Sequence, residues 1–305
     1  MSADAISSTT RRGFLARAAV LSLTAATVSL PKSSEAKGDP LPVPKYTLSL
    51  NLELMFPDSM PFDQRLQIAA DAGAKAYSFW GHAGRPLDKM LAIQDKHGLK
   101  CASFIGPTQT GFGAGLTKTG GEKAFLDDFS DSVAVATRLG VENLITFVGV
   151  TQPDIPWDKQ FAQIVAGLRK AGDIAGEAGV YAVLEPLNGV ENADMAMITS
   201  ARAYEIAREV NHPHVKVDFD MYHRQLGEGN LINTLKDGIA KGYVRFVEVG
   251  DVPGRFEPGT GETNYPQLFR VLREVGYDGY IGMEHRTTTT PEGAFKAVKA
   301  LAGLG

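Results

Sequence analysis

The stretch FAQIVAGLRKAGDIAGEAGVYAVLEP, residues 161–186, contains one complete structural unit. A helical pattern over Phe161–Ala178 leads to Gly179, a residue that readily adopts the left-handed conformation at a helix end. A β-rich run over Tyr181–Pro186 follows. This order of helix, glycine and strand predicts an α/β protein.

The same order recurs along the chain. The β-rich runs are Tyr46–Leu52, Ala74–Trp80, Lys100–Ile105, Asn143–Val148, Tyr181–Pro186, Val215–Phe219, Val244–Val249 and Tyr280–Met283. The helical patterns are Phe62–Ala72, Leu87–His97, Glu122–Leu139, Phe161–Ala178, Ser200–Val210, Tyr265–Val275 and Glu292–Leu301, with a weaker one in Gly229–Ala240. Eight such units predict a (β/α)₈ TIM barrel. The alternative, a doubly wound open sheet, often has a glycine-rich turn after its first strand, and Asn51–Phe56 is no such turn.

The composition is that of a globular protein, with 305 residues, 44% hydrophobic and 22% charged. The net charge of −4 argues against an extended nucleic-acid surface, which needs a basic face. Cys101 is the single cysteine, so the chain can form no intramolecular disulfide.

Residues 1–37 differ in kind from the rest. Arg11-Arg12 and Phe14 precede an apolar stretch, Ala18–Leu30, and a small-residue site, Ser34–Ala36. These features predict a twin-arginine export signal and a periplasmic or exported protein. The apolar stretch is too short to span a hydrocarbon core of roughly 30 Å comfortably, so we expect no stable membrane insertion. An uncleaved N-terminal anchor is the alternative, and in either case residues 38–305 are expected to form a single catalytic barrel domain.

Four consecutive predicted strands end in a carboxylate. These are Glu185, Asp220, Glu248 and Glu284. Since the carboxyl ends of barrel strands form one rim, the four groups are expected to lie together. Crowded carboxylates repel one another in an apolar barrel mouth, and a hard divalent cation removes that conflict. Asp218 is expected one layer deeper in the barrel, with a ligand role as the lesser alternative.

Four motifs in this half of the chain carry a resemblance to a known family. They are Glu185-Pro186-Leu187-Asn188, Asp220-Met221-Tyr222-His223, Glu257-Pro258-Gly259-Thr260-Gly261-Glu262 and Gly282-Met283-Glu284. Together they resemble the hydroxypyruvate isomerase family. That family lies among the xylose isomerase-like barrels, which also include the ketose 3-epimerases. The similarity begins near Leu48 and is strongest over residues 180–290.

The resemblance implies one divalent ion, Mn²⁺ or Mg²⁺ with Co²⁺ as a further option, bound by Glu185, Asp220, Glu248 and Glu284. Position 248 departs from the family pattern, which has Gln or His there. A fourth carboxylate makes the site more anionic. It therefore favours hard cations and puts the usual substrate in question.

The resemblance also implies the residue roles. Glu185 and Glu284 exchange protons with the substrate from opposite faces, while His223, Glu191 and Arg255 contact it. Independently of the resemblance, Trp80 at the end of the second predicted strand is expected to form an apolar wall of the substrate pocket. Phe56 and Phe79 are expected either to extend the apolar wall beside Trp80 or to pack in the core.

The implied activity is the interconversion of hydroxypyruvate and tartronate semialdehyde through an enediolate. A ketose 3-epimerase or sugar isomerase is the main alternative. A non-catalytic sugar-binding barrel and an apurinic-site endonuclease are weaker ones. We expect a small hydroxy-carbonyl or sugar substrate, no nucleic-acid partner and, by analogy with relatives, a homo-oligomer.

Overall fold

A computed structural model describes residues 41–305, so the expected export signal lies outside the described residues. Eight parallel strands form a closed barrel in chain order, and β8 pairs with β1. The strands are β1 Thr47–Asn51, β2 Ala76–Phe79, β3 Lys100–Ile105, β4 Asn143–Thr146, β5 Tyr181–Leu184, β6 Val215–Asp220, β7 Val244–Glu248 and β8 Tyr280–Met283. The predicted (β/α)₈ barrel is confirmed.

Helices connect the strands on the outside of the barrel. They are α1 Phe62–Asp71, α2 Leu87–His97, α3 Thr108–Gly111, α4 Glu122–Leu139, α5 Trp157–Glu177, α6 Ser200–Val210, α7 Met221–Gly227, α8 Leu231–Ala240, α9 Tyr265–Glu274 and α10 Pro291–Leu301. The weak pattern in Gly229–Ala240 forms the regular helix α8, whereas the short helices α3 and α7 were not predicted. Within residues 41–305, no helix is both long and apolar enough to cross a bilayer.

The hydrophobic core has two parts because side chains alternate along each strand. Tyr77 and Phe79 of β2 belong to the larger cluster, which packs the strands against the helices. Ala76, also on β2, belongs to a smaller cluster with Val183 and Phe246. Val183 and Phe246 lie on β5 and β7, two of the strands whose carboxyl ends carry the predicted site residues.

Helix α7 fixes the ends of β5 and β6 relative to each other. It begins directly after β6, where Asp220 Oδ1 accepts a hydrogen bond of 2.7 Å from the Tyr222 N–H. The buried guanidinium of Arg224, also on α7, donates to the carbonyl oxygens of Pro186 and Leu187 at 2.5 and 2.7 Å. These bonds hold the segment after β5 against the segment after β6.

The loop between β7 and α9 is organised around the buried carboxylate of Asp251. Asp251 accepts backbone N–H bonds from Val252, Gly259, Gly261 and Thr263, all between 2.9 and 3.0 Å. Arg255 lies in this loop with a left-handed φ of 56°. These hydrogen bonds fix the conformation of the loop and therefore the position of the Arg255 guanidinium.

Candidate metal centre and active site

The structure brings together the four carboxylates predicted to bind a metal. Glu185, Asp220, Glu248 and Glu284 each offer an oxygen, and these atoms all lie within 4.8 Å of one another. None of the four residues is more than 6% exposed. They converge because β5 to β8 are adjacent and parallel, so that their carboxyl ends share one rim.

Burial and mutual repulsion make the carboxylates hard to ionise together. Burial raises the pKa of Glu185 well above its ordinary value, and the neighbouring Glu284 raises it further. The pKa of Glu248 is raised by burial and by Glu284 in the same way. Burial also raises the pKa of Glu284, although the Arg255 guanidinium opposes that change. A set of hard oxygen donors with this much negative charge fits a divalent cation.

Asp218 lies next to this group, fully buried, as expected for the layer below. Within residues 41–305, neither of its oxygens accepts a hydrogen bond from an N–H group or a hydroxyl. Burial raises the pKa of Asp218 well above its ordinary value. Besides burial and Glu284, Asp218 also raises the pKa of Glu248, because the two neighbouring carboxyl groups repel each other when both are ionised.

The Arg255 guanidinium reaches into the centre of the site. Its Nη2 lies 2.9 Å from Asp220 Oδ2 and also pairs closely with Glu284. Its Nε donates to the Glu284 carbonyl oxygen at 3.0 Å. Burial alone would lower the pKa of Arg255, but Glu284 and Asp220 raise it, so the group keeps its charge. Arg255 was predicted to bind substrate, and here it bridges two candidate ligands.

His223 lies among the candidate ligands as well. Its Nε2 is 3.6 Å from Glu185 Oε1 and from Asp220 Oδ2, and its Nδ1 is 2.7 Å from the amide nitrogen of Asn188. Burial lowers the pKa of His223 to about 4, so the ring is neutral near pH 7. Glu185, Asp220 and His223 form a second group that can bind a metal ion. The residue predicted to contact substrate can thus equally serve as a ligand.

Glu191 stands at the rim of the site, where its carboxylate accepts hydrogen bonds from the Tyr222 hydroxyl at 2.6 Å and the Asn188 amide at 2.9 Å. Partial burial would raise the pKa of Glu191, but these two bonds lower it, so the group is ionised. Asn188 links Glu191 to His223, a role that its motif alone did not reveal.

A cavity of about 640 Å³ opens above the carboxylates. Its polar side is formed by Glu185, Glu191, Asn192, His223, Arg255 and Glu284, and its apolar side by Trp80, Ile105, Phe112, Phe147 and Leu187. The Trp80 indole N–H donates to Glu284 Oε1. Of the aromatic residues considered for the wall, only Trp80 lines the cavity, because Phe56 and Phe79 are buried in the core.

Two charged residues of the cavity region were missed. Glu53 lies two residues after the end of β1, and the rule that placed the other carboxylates at strand ends would also have found it. Arg85 lies in the loop between β2 and α2 and lines the cavity. No strand-end rule applies to a loop position, so its role became visible only in the structure.

Comparison with known proteins agrees with this architecture. A family model described as xylose isomerase-like TIM barrel matches residues 66–303. The 2-oxo-tetronate isomerase of Haemophilus influenzae is 30% identical over 247 residues, which cover 80% of this chain and 94% of that protein. The hydroxypyruvate isomerase of Escherichia coli is 29% identical over 177 residues, covering 58% of this chain and 68% of that protein.

Among solved structures, one titled AP endonuclease, family 2, from Brucella melitensis superposes with a TM-score of 0.77 at 28% identity. The match covers 84% of this chain and 98% of that one. The curated relatives named above are isomerases. Since the family model spans nearly the whole barrel, the chain belongs to the xylose isomerase-like TIM barrel family.

Proposed function

We propose that this protein is a metal-dependent isomerase that moves a carbonyl group between adjacent carbons of a small hydroxy-carbonyl compound. The leading substrate pair is hydroxypyruvate and tartronate semialdehyde. The observation that carries the proposal is the convergence of Glu185, Asp220, Glu248 and Glu284. Two of these carboxylates, Glu185 and Glu284, line a cavity open to substrate.

The chain's own groups supply the proton transfers. Glu185 and Glu284 line the cavity, so either carboxylate can take the proton from the carbon that bears the hydroxyl. The electron pair of the broken C–H bond forms the C=C bond of an enediolate, and the carbonyl oxygen takes up the negative charge. A proton returned to the former carbonyl carbon, together with transfer of the other oxygen's proton to the negatively charged oxygen, completes the exchange. A divalent cation bound to the carboxylates would stabilise negative charge on the substrate oxygens.

The curated relatives support a small oxo acid as substrate. The names of the two isomerases described above refer to hydroxypyruvate and 2-oxo-tetronate. Both are short acids with a carbonyl at carbon 2 and a hydroxyl on carbon 3, which is the arrangement that the proposed proton transfer requires.

A ketose 3-epimerase or sugar isomerase is the second candidate. The cavity of about 640 Å³ is much larger than a three-carbon acid, and its apolar side offers Trp80 and Phe112 for a longer sugar to pack against. The same proton transfers at Glu185 and Glu284 would serve either substrate.

We also propose that the enzyme is exported, on the pattern of Arg11-Arg12 and the apolar stretch Ala18–Leu30. Fusion of residues 1–37 to a reporter that is active only after export tests this. A matched fusion with both arginines replaced by lysine is expected to stay inside the cell.

Deuterium exchange tests the proposed activity directly. The purified full chain, loaded with Mn²⁺ in D₂O, is incubated with hydroxypyruvate or a series of ketoses and followed by NMR. Deuterium at the carbon next to the carbonyl, together with isomer formation, is expected with hydroxypyruvate. Exchange with ketoses alone would assign the protein to the epimerases, and no exchange with any compound would refute an isomerase.

A further inference from the structure

Arg85 is a cation placed at the edge of the cavity and separate from the candidate metal ligands. It lies between β2 and α2 and lines the same cavity as Glu185 and Glu284. Its side chain is 26% exposed, so it is accessible to a molecule in that cavity. Glu53 Oε1 accepts hydrogen bonds from Arg85 Nη2 and from the Trp80 backbone N–H, and the Trp80 indole reaches Glu284.

The contacts of Arg85 hold the guanidinium in place and leave part of it free. Its Nε donates to the Gly81 carbonyl oxygen at 3.1 Å, its Nη2 pairs with Glu53 at 2.5 Å, and its Cζ lies 4.4 Å from the ring centroid of Phe62. Within residues 41–305, Nη1 makes no hydrogen bond. The Nε and Nη2 groups are therefore held by the protein, while Nη1 remains available as a donor.

Arg85 shares its acidic partner, Glu53, with a second arginine. Glu53 also contacts the buried guanidinium of Arg65, whose Nη1 lies 3.4 Å from Glu53 Oε2. The cluster of Arg65, Glu53 and Arg85 thus holds two positive charges and one negative charge. Arg85 is the more exposed of the two arginines, at 26% against 5%, and it lines the cavity.

Arg255 differs from Arg85 in this respect. The Arg255 guanidinium is shared between Asp220 and Glu284, two of the candidate metal ligands. Arg85 touches none of those ligands, and its Nη1 remains available to donate to an anion. A guanidinium fork binds a carboxylate through parallel N–H bonds, which gives both affinity and orientation.

We infer that Arg85 binds the carboxylate of the substrate and makes the enzyme select hydroxy-oxo acids over neutral ketoses. This inference rests on the proposed isomerase function. The acid's reacting carbons lie at Glu185 and Glu284, and its carboxylate points past Trp80 toward Arg85.

A matched pair of substrates isolates the carboxylate. Hydroxypyruvate and dihydroxyacetone differ in having a carboxylate or a hydroxymethyl group on the same carbonyl carbon. The variants are Arg85→Gln, which removes the charge, Arg85→Lys, which keeps the charge without the fork, and Arg270→Gln as control. Arg270 pairs with Glu274 on the outer helix α9 and does not line the cavity.

Kinetics on the Mn²⁺-loaded full chain give the first readout. In Arg85→Gln, the ratio of kcat/KM for hydroxypyruvate to that for dihydroxyacetone is expected to fall about tenfold to a hundredfold, mainly through KM. Arg85→Lys is expected to lose less, and Arg270→Gln to keep the wild-type ratio. An unchanged ratio in Arg85→Gln would overturn the inference.

Binding of 2-oxobutyrate, which has no hydroxyl to isomerise, separates this inference from the proposed function. Calorimetry is expected to give a Kd about tenfold or more weaker in Arg85→Gln than in wild type. Equal affinity, or no binding to the wild type, would refute the role of Arg85 even if isomerisation occurs. If 2-oxobutyrate binding depends on Arg85 but hydroxypyruvate shows no proton exchange, the proposed isomerase activity would be refuted while the role of Arg85 would stand.

Discussion

Glu185 and Glu284 line the cavity, whereas Asp220 and Glu248 belong to the same carboxylate group but do not line it. The two pairs of carboxylates are therefore expected to have different roles. A proton acceptor must reach the substrate carbon, while a group that only binds the metal need not. The geometry thus favours Glu185 and Glu284 as the acid–base pair among the four.

Replacing either Glu185 or Glu284 by Gln is expected to lower deuterium exchange into hydroxypyruvate by about a thousandfold or more, because an amide cannot accept the proton. Glu185→Gln removes a buried charge without changing the shape of the side chain, so the melting temperature of the chelated Glu185→Gln protein should not fall. Glu177→Gln, at an exposed position on α5, is the control. Retained exchange in either cavity variant would rule out the two-base mechanism.

Glu248→Gln tests the repulsion between the buried carboxyl groups of Glu248 and Asp218. The amide keeps the shape of the glutamate, removes one ionisable group, and offers an N–H donor to the otherwise donor-free oxygens of Asp218. In chelated protein, it is expected to raise the free energy of unfolding by about 1 kcal/mol, the equivalent of roughly one pKa unit. Chemical denaturation with EDTA present measures this.

The matched variant Glu248→Ala leaves Asp218 without a donor and opens a cavity, so it is expected to be less stable than Glu248→Gln. Mn²⁺ titration should show weaker binding in both variants. Wild-type Mn²⁺ affinity in either one would exclude Glu248 as a ligand.

Neighbouring strands cooperate to make room for Glu248. A Cβ at Gly282 of β8 would stand 2.7 Å from Glu248 Oε1 and 2.9 Å from its Cγ, which is too close for the present position. Gly282→Ala is therefore expected to displace the Glu248 side chain and to weaken Mn²⁺ binding about tenfold, with a loss of stability of about 1–3 kcal/mol. Isothermal titration and denaturant unfolding measure the two effects.

Gly106→Ala is the control, since a Cβ there meets its nearest neighbours at an ordinary 3.4 Å or more. It is expected to leave Mn²⁺ affinity unchanged. If Gly282→Ala also binds Mn²⁺ as tightly as the wild type, the metal does not depend on the placement of Glu248.

The sequence could predict the barrel and the meeting of its strand-end carboxylates, because parallel order alone brings residues such as Glu185 and Glu284 to one rim. Loop residues obey no such rule. The position of Arg255 depends on the bonds to Asp251, and that of Arg85 on Glu53 and Phe62. Helix α7 was missed because its turn is short and its role, fixing β5 against β6, depends on contacts distant along the chain.

For the protein as a whole, the buried carboxylates connect proton binding to stability. Burial raises the pKa of Glu185, Glu248 and Glu284 in the folded chain, so the folded state keeps protons that the unfolded state releases near pH 4, about the ordinary carboxyl value. The folded state then binds more protons than the unfolded state. Above about pH 4, these groups therefore make the chelated protein less stable as the pH rises.

A bound divalent cation should reverse that trend, since it competes with protons for the same oxygens and binds more tightly as they ionise. The rise in melting temperature on adding Mn²⁺ is accordingly expected to be larger at about pH 8 than at about pH 6. Thermal unfolding with EDTA or Mn²⁺ across this range measures the shift, and Glu185→Gln should flatten its pH dependence. A stabilisation by Mn²⁺ that is equal at all pH values, or larger in acid, would show that Mn²⁺ does not bind to these carboxylates. Their deprotonation is what makes the stabilisation grow as the pH rises.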